Sequence, residues 1–256
     1  MSDRLELTGM VLASTPIGEY DRRVVLLTRE RGKISAFAKG ARRQSSPLMG
    51  AVKPFTFGTF ECFEGRSSYN IYRASVNSYF EELSTDFEGT CYGMYFLEFA
   101  DYYTRENNDE REMLNLLYVA LNALQKKTMP AELIRRVYEL RAMVIGGEYP
   151  ECFCCVNCGS TEQLAGYSDR KKGTVCESCL SETHAKKLQE STIYTLQYVI
   201  GSPLTKLFHF QVSETVHAEF TEIVEEFQKS VLDREFKSLE TLRAILEFSV
   251  ENTKQS

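Results

Sequence analysis

Eight cysteines stand in this 256-residue chain, and four of them are spaced for metal ligation. Cys155-Val156-Asn157-Cys158-Gly159 and Cys176-Glu177-Ser178-Cys179 are two Cys-x-x-Cys pairs separated by 17 residues. Each pair, on a tight turn, aims two thiolates at one ion, and a borderline-soft cation such as zinc accepts sulfur well. Four thiolates complete a tetrahedron and leave no position for substrate or activated water. The expectation is therefore one structural Zn2+ ion held by Cys155, Cys158, Cys176 and Cys179. Cys152 and Cys154 precede this set, and Cys152-x-x-Cys155 is itself a pair in frame. Only the Cys155/Cys158 frame has a glycine behind its second cysteine to permit the turn, which favours it; the shifted frame stays as the alternative. No βαβ pattern surrounds the cluster, which argues against a redox motif. Cys62 and Cys91 lie on apolar faces and are expected in the core.

The second chemistry is cationic. The net charge of −6 conceals an asymmetry, +5 over residues 1–80 and −11 over the remainder. Between residues 20 and 53, Arg22, Arg23, Arg29, Arg31, Lys33, Lys39, Arg42, Arg43 and Lys53 face only Asp21 and Glu30. A local excess of this kind suits a polyanion such as DNA. The DNA-binding candidates are Arg22, Arg23, Lys33, Lys39, Arg42, Arg43 and Lys53. Catalytic signatures are missing: there is no GxxxxGK[ST] loop and no G-x-G-x-x-G after a strand. His184, His209 and His217 form no H-E-x-x-H motif and accompany no G-x-S-x-G serine. No catalytic residues are assigned, and a non-enzymatic role is expected.

These groups need elements to position them. Leu5–Val11, Val24–Leu27, Lys33–Ala38, Phe55–Phe63 and Ser68–Ala74 read as five short strands, with a change of phase at Gly58 that a β-bulge would produce. Five short strands in 80 residues suit a small closed barrel, because closure removes exposed edges. Lys39–Pro54 reads as one long basic loop. From Phe87 the period becomes helical, beginning with an aromatic stripe of Tyr92, Tyr95, Phe96, Phe99, Tyr102 and Tyr103 that reads as a buried face. A second helix carries Met113 to Leu124, and a third opens at Pro130 and stops at Gly146-Gly147. After the cysteine-rich insertion, Lys187–Ile200, Glu214–Leu232 and Ser238–Val250 read as helices, with Ser238 as an N-cap and a polar, fraying tail at Asn252–Ser256. The fold class is thus α+β, divided as a barrel over 1–80, a helical part over 81–150, the cysteine insertion over 151–183 and a second helical part over 184–256. No run approaches a membrane span, and the charged opening MSDRLELTGM does not read as a secretory signal. A soluble cytoplasmic protein with reduced cysteines is expected.

The order of these pieces resembles the bacterial RecO family of recombination mediators. The resemblance is carried by TGMVL (Thr8–Leu12), Glu19-Tyr20-Asp21, RGKISAFAKG (Arg31–Gly40), ARRQSSPL (Ala41–Leu48) with Pro54-Phe55, Glu148-Tyr149-Pro150 before the cysteines, and Lys237-Ser238. It implies an amino-terminal OB-fold, a helical domain with an inserted zinc-binding element, and a nucleoid-associated place in the cytoplasm. It also implies binding of single- and double-stranded DNA, annealing of complementary strands, and recombinase loading with RecR on DNA coated by single-strand binding protein. On the barrel, Phe37 and Tyr72 are candidates for stacking bases. The family's recognition of the acidic, phenylalanine-ending tail of single-strand binding protein would need cations beside an apolar pocket. Arg135, Arg136 and Arg141, beside Leu133, Val137 and Leu140, are the candidates; the alternative is that they only balance Glu132 and Glu139. A zinc-ribbon adaptor that binds proteins without touching DNA is the competing function.

Overall fold

The computed structural model describes residues 4–66 and 68–253, with side chains to Glu247, so Asp3 of the charged opening and the polar end 254–256 lie outside the described residues. The chain divides into two compact units, Met1–Gln125 with Phe236–Ser256, and Lys126–Glu235.

In the first unit, β1 (Arg4–Ile17), β2 (Asp21–Thr28), β3 (Gly32–Ala38), β4 (Phe57–Glu64) and β5 (Tyr69–Ser78) form a closed barrel in the order β1-β2-β3-β5-β4. This is the five-stranded barrel of an OB-fold. β1 is twice the expected length because it serves two partners, pairing with β4 over Arg4–Met10 and with β2 over Gly9–Ile17. Its second half ends in the exposed Ala13, Thr15, Pro16 and Ile17, a run without the alternation that marks a strand. The register of β4 against β5 shifts at Phe57/Gly58, where the change of phase was expected. A Cβ on Gly58 would meet the Ser75 carbonyl oxygen at 2.3 Å, so only glycine admits that approach. Leu7, Val24, Leu26, Ile34, Phe60 and Ile71 fill the interior. Within the stretch expected as loop, Leu48–Ala51 forms a short helix, α1, and Leu48 and Val52 join the barrel core. Their burial sets the course of the basic segment before them.

The barrel leads into α2 (Glu81–Thr85), α3 (Phe87–Tyr103) and α4 (Arg111–Lys126). Asp86 caps α3 by accepting the Gly89 N–H at 3.1 Å. Tyr92, Tyr95, Phe96 and Phe99 are buried, so the aromatic stripe is a packing face and not a platform for bases. The chain returns to this unit as α9 (Lys237–Thr253), which takes in Asn252 and Thr253, the first two residues of the expected frayed tail. Phe236 enters a cage of Tyr95, Phe99 and Tyr102, with ring centroids 5.8, 5.1 and 5.7 Å away. Ser238 lies inside α9 and does not cap it. Instead the Glu98 carboxylate accepts both the Ser238 N–H, at 2.9 Å, and its hydroxyl, placing an acid at the positive end of the helix.

The second unit holds α5 (Ala131–Ile145), α6 (Leu180–Thr183), α7 (Glu190–Gly201) and α8 (Glu214–Val231), with a three-stranded sheet of β6 (Leu164–Ser168), β7 (Gly173–Cys176) and β8 (Lys186–Lys187) in the order β7-β6-β8. β8 occupies residues that read as the start of α7. Lys186 and Lys187 pair instead with Tyr167 and Gly166, carrying the cysteine-rich element beyond the expected boundary at 183. Of the helices, α2, α3, nearly all of α4 and α9 group with the barrel, and α5–α8 with the cysteines.

Candidate metal centre and nucleic-acid interface

The sulfurs of Cys155, Cys158, Cys176 and Cys179 all lie within 4.8 Å of one another. A zinc–sulfur bond of ~2.3 Å implies a tetrahedral edge of about 3.8 Å, so the four close on one ion with small adjustments. Cys158 and Cys176 already stand 3.6 Å apart. The first pair sits on a turn closed by Gly159, whose N–H donates to the Cys155 carbonyl at 2.8 Å while its φ is +77°. Cys176 ends β7, and Cys179 lies at the end of the 3-10 turn Glu177–Cys179. Burial alone would raise the Cys155 pKa, but the backbone N–H groups of Cys176, Cys158 and Asn157 aim at its sulfur and lower it to about 6. This donor set fits a soft-accepting tetrahedral cation.

The neighbouring cysteines stand apart from the set. The Cys152 thiol is fully buried and burial pushes its pKa far up, while the Cys152 carbonyl accepts the Gln197 amide at 2.8 Å. Of the two frames, the structure brings together the one with Cys158. Cys62 is buried in the barrel, where burial holds its thiol up at about 12. Asn157, between the first two cysteines, had not been singled out. Its amide donates to Cys179 Sγ at 3.4 Å and to a Glu182 carboxylate oxygen at 3.1 Å, and its oxygen accepts from Lys171. A side-chain amide between two ligands was the only available sign.

The cations gather at one end of the barrel. The β1–β2 hairpin and the β3–α1 segment touch there: Asp21 accepts the Gly40 N–H at 2.7 Å, and the Arg42 N–H donates to the Tyr20 carbonyl at 2.9 Å. Arg42 also donates a guanidinium N–H to the Gly18 carbonyl at 3.1 Å, and the Arg43 guanidinium lies 4.9 Å from the centroid of the Tyr20 ring. Arg22 and Arg23 begin β2, paired with Ala38 and Phe37 of β3, directly before Lys39. Arg23, Lys39, Arg42, Arg43 and Lys53 are exposed. Arg22 is half-buried, its guanidinium turned to the Ser14 hydroxyl and carbonyl at 3.3 and 3.4 Å. Lys33 departs from the group. It reaches α3, pairing with the Asp101 carboxylate at 3.0 Å and donating to the Asp101 carbonyl.

Two family models cover the chain: "Recombination protein O N terminal" matches residues 1–80, and "Recombination protein O C terminal" matches residues 84–240. The chain belongs to the RecO family. Relatives named DNA repair protein RecO span it almost end to end. That of Alkaliphilus metalliredigens is 30% identical, covering 94% of this chain and 99% of the relative. That of Acetivibrio thermocellus is 30% identical over 94% and 97%, and that of Clostridium perfringens strain 13 is 27% identical over 95% and 99%. RecO membership places the chain in DNA repair and recombination, with DNA as its partner. Among the described residues no helix is long and apolar enough to cross a membrane.

The arginines expected to receive a RecO partner's acidic tail are differently employed. Arg135 and Arg136 are only 5% and 3% exposed. Arg136 bridges Glu132, Glu139 and Glu225 at 3.1, 3.1 and 2.9 Å, and Arg135 pairs with Glu132 and Glu139. Arg141 donates to the Ile200 carbonyl. The reason is the position of α8, which brings Glu225 onto α5 and turns an apparent cationic face into a buried ion network. Arg135 and Arg136 balance Glu132 and Glu139, whereas Arg141 turns to a backbone carbonyl.

Proposed function

We propose that this RecO-family chain binds single- and double-stranded DNA through the basic end of its barrel, anneals complementary strands, and with RecR helps load recombinase onto DNA coated by single-strand binding protein. The observation that carries the reading is the gathering of Lys39, Arg42 and Arg43 on the segment that touches the β1–β2 hairpin, beside Arg22 and Arg23 at the start of β2. Cations on a rigid barrel neutralise phosphates and release counterions, which gives binding that depends on salt and not on sequence. Such contacts screen two strands from one another while their base edges remain free to pair.

Four thiolates around one Zn2+ supply a cross-link between two turns, and Cys155, Cys158, Cys176 and Cys179 would hold it. That role is structural: metal binding contributes folding free energy to the second unit. The test of the reading is direct. Purified protein should bind both single-stranded and duplex oligonucleotides at low salt and accelerate pairing of complementary strands. Failure to bind either form at low salt would favour the adaptor reading instead.

A further inference from the structure

The tip of the β1–β2 hairpin exposes apolar surface in the middle of the cationic group. Ile17 and Tyr20 are each 43% exposed. The hairpin is nonetheless firmly held, by the Arg42 N–H on the Tyr20 carbonyl, the Arg42 guanidinium on the Gly18 carbonyl, and the Arg43 guanidinium against the Tyr20 ring. The neighbouring Glu19 raises the pKa of the Tyr20 hydroxyl, which stays protonated. An exposed aromatic ring, held at its backbone carbonyl and backed by a guanidinium, is ready to receive a second flat group. The surrounding cations require that group to belong to a polyanion.

We propose that Tyr20 is a stacking post for an unpaired base of single-stranded DNA, with Ile17 beside it and Arg22, Arg23, Lys39 and Arg42 on the flanking phosphates. The inference rests on the DNA-binding reading above and adds to it a distinction between strand forms. In a duplex each base is already stacked between its neighbours and offers no free face, so Tyr20 adds affinity only where bases are unpaired. The expected stacking candidates are less suited. Phe37 is half-buried, and Tyr72 is already stacked on Phe63 at 4.5 Å with its hydroxyl held by Glu61 at 2.9 Å. Of the cations beside those rings, Arg4 already lies over Phe63, 5.7 Å from its centroid, and Arg73 is bridged to Glu61 at 3.5 Å.

The test compares wild type with Tyr20→Ala, Tyr20→Phe and Tyr72→Ala on a homothymidine strand carrying one 2-aminopurine and on a blunt duplex. Tyr20→Ala should lose about ten-fold or more in single-strand affinity and lose the quenching of 2-aminopurine fluorescence, with duplex affinity within about two-fold of wild type. Tyr20→Phe should retain both the affinity and the quenching. Unchanged duplex binding also shows that the barrel is intact in the variant. An equal loss on both forms, an unchanged single-strand affinity, or quenching that depends on Tyr72 and not Tyr20 would overturn the stacking post. Salt-dependent wild-type binding that Tyr20→Ala leaves untouched sinks this inference alone, whereas wild type that binds neither form sinks the DNA reading beneath it.

Discussion

Removing Arg42 and Arg43 together should change the salt dependence of DNA binding more informatively than it changes affinity at any one salt concentration. If Arg22, Arg23, Lys39, Arg42, Arg43 and Lys53 each neutralise one phosphate, the slope of log affinity against log salt is about −5 on duplex and about −4 on single strands. A slope of −5 means roughly a thousand-fold loss between about 50 and 200 mM salt. Arg42→Ala with Arg43→Ala should bring the duplex slope to about −3.6, because two counterion releases disappear. The structure supplies the contrast. Lys33 is committed to Asp101 and should leave the slope unchanged when replaced by alanine, although it belongs to the same basic run of sequence. Fluorescence anisotropy over a salt series measures all three proteins. A double variant whose slope matches wild type, or a Lys33→Ala slope that falls by about one, would refute the assignment of phosphate contacts to the hairpin and the loop.

Three further outcomes are expected. Cys176→Ser should lose bound zinc and destabilise the second unit, while Cys152→Ser should retain one zinc per chain by elemental analysis; a Cys152→Ser protein without metal would restore the shifted frame. Asn157→Ala should surrender zinc to a chelator more readily, with affinity about 10–100-fold weaker, because Cys179 Sγ loses its N–H donor; an unchanged chelator titration would show that contact to be idle. Arg136→Leu should cost about 3–5 kcal/mol in denaturant unfolding, since Glu139, with no exposed surface, loses its 3.1 Å contact to the guanidinium and Glu225 its 2.9 Å contact; a loss below about 1 kcal/mol would mean the network is not strongly coupled.

What could be read from the sequence was local. The four clustered cysteines lie on two short turns whose geometry depends on a few consecutive residues, so spacing and one glycine sufficed to single them out. The barrel was legible because alternation within a strand reports which face is buried, except at the end of β1, where Ala13, Thr15, Pro16 and Ile17 are exposed without alternating. The basic excess over residues 20–53 was likewise a matter of counting, although counting did not tell which cations remain available. That depended on distance along the chain. Lys33 is taken by Asp101, 68 positions later, and Arg136 by Glu225, 89 positions later; neither partner is predictable from helical or strand periodicity. An arginine on a helix reads as surface until another helix packs over it with a carboxylate, because burial of charge is tolerable only when a partner arrives with it. The exposure of Tyr20 is the converse case. A glycine two residues before Tyr20 suggests a turn, but only the docking of the Arg42–Arg43 loop against the hairpin sets a guanidinium on its ring while the side chain stays exposed.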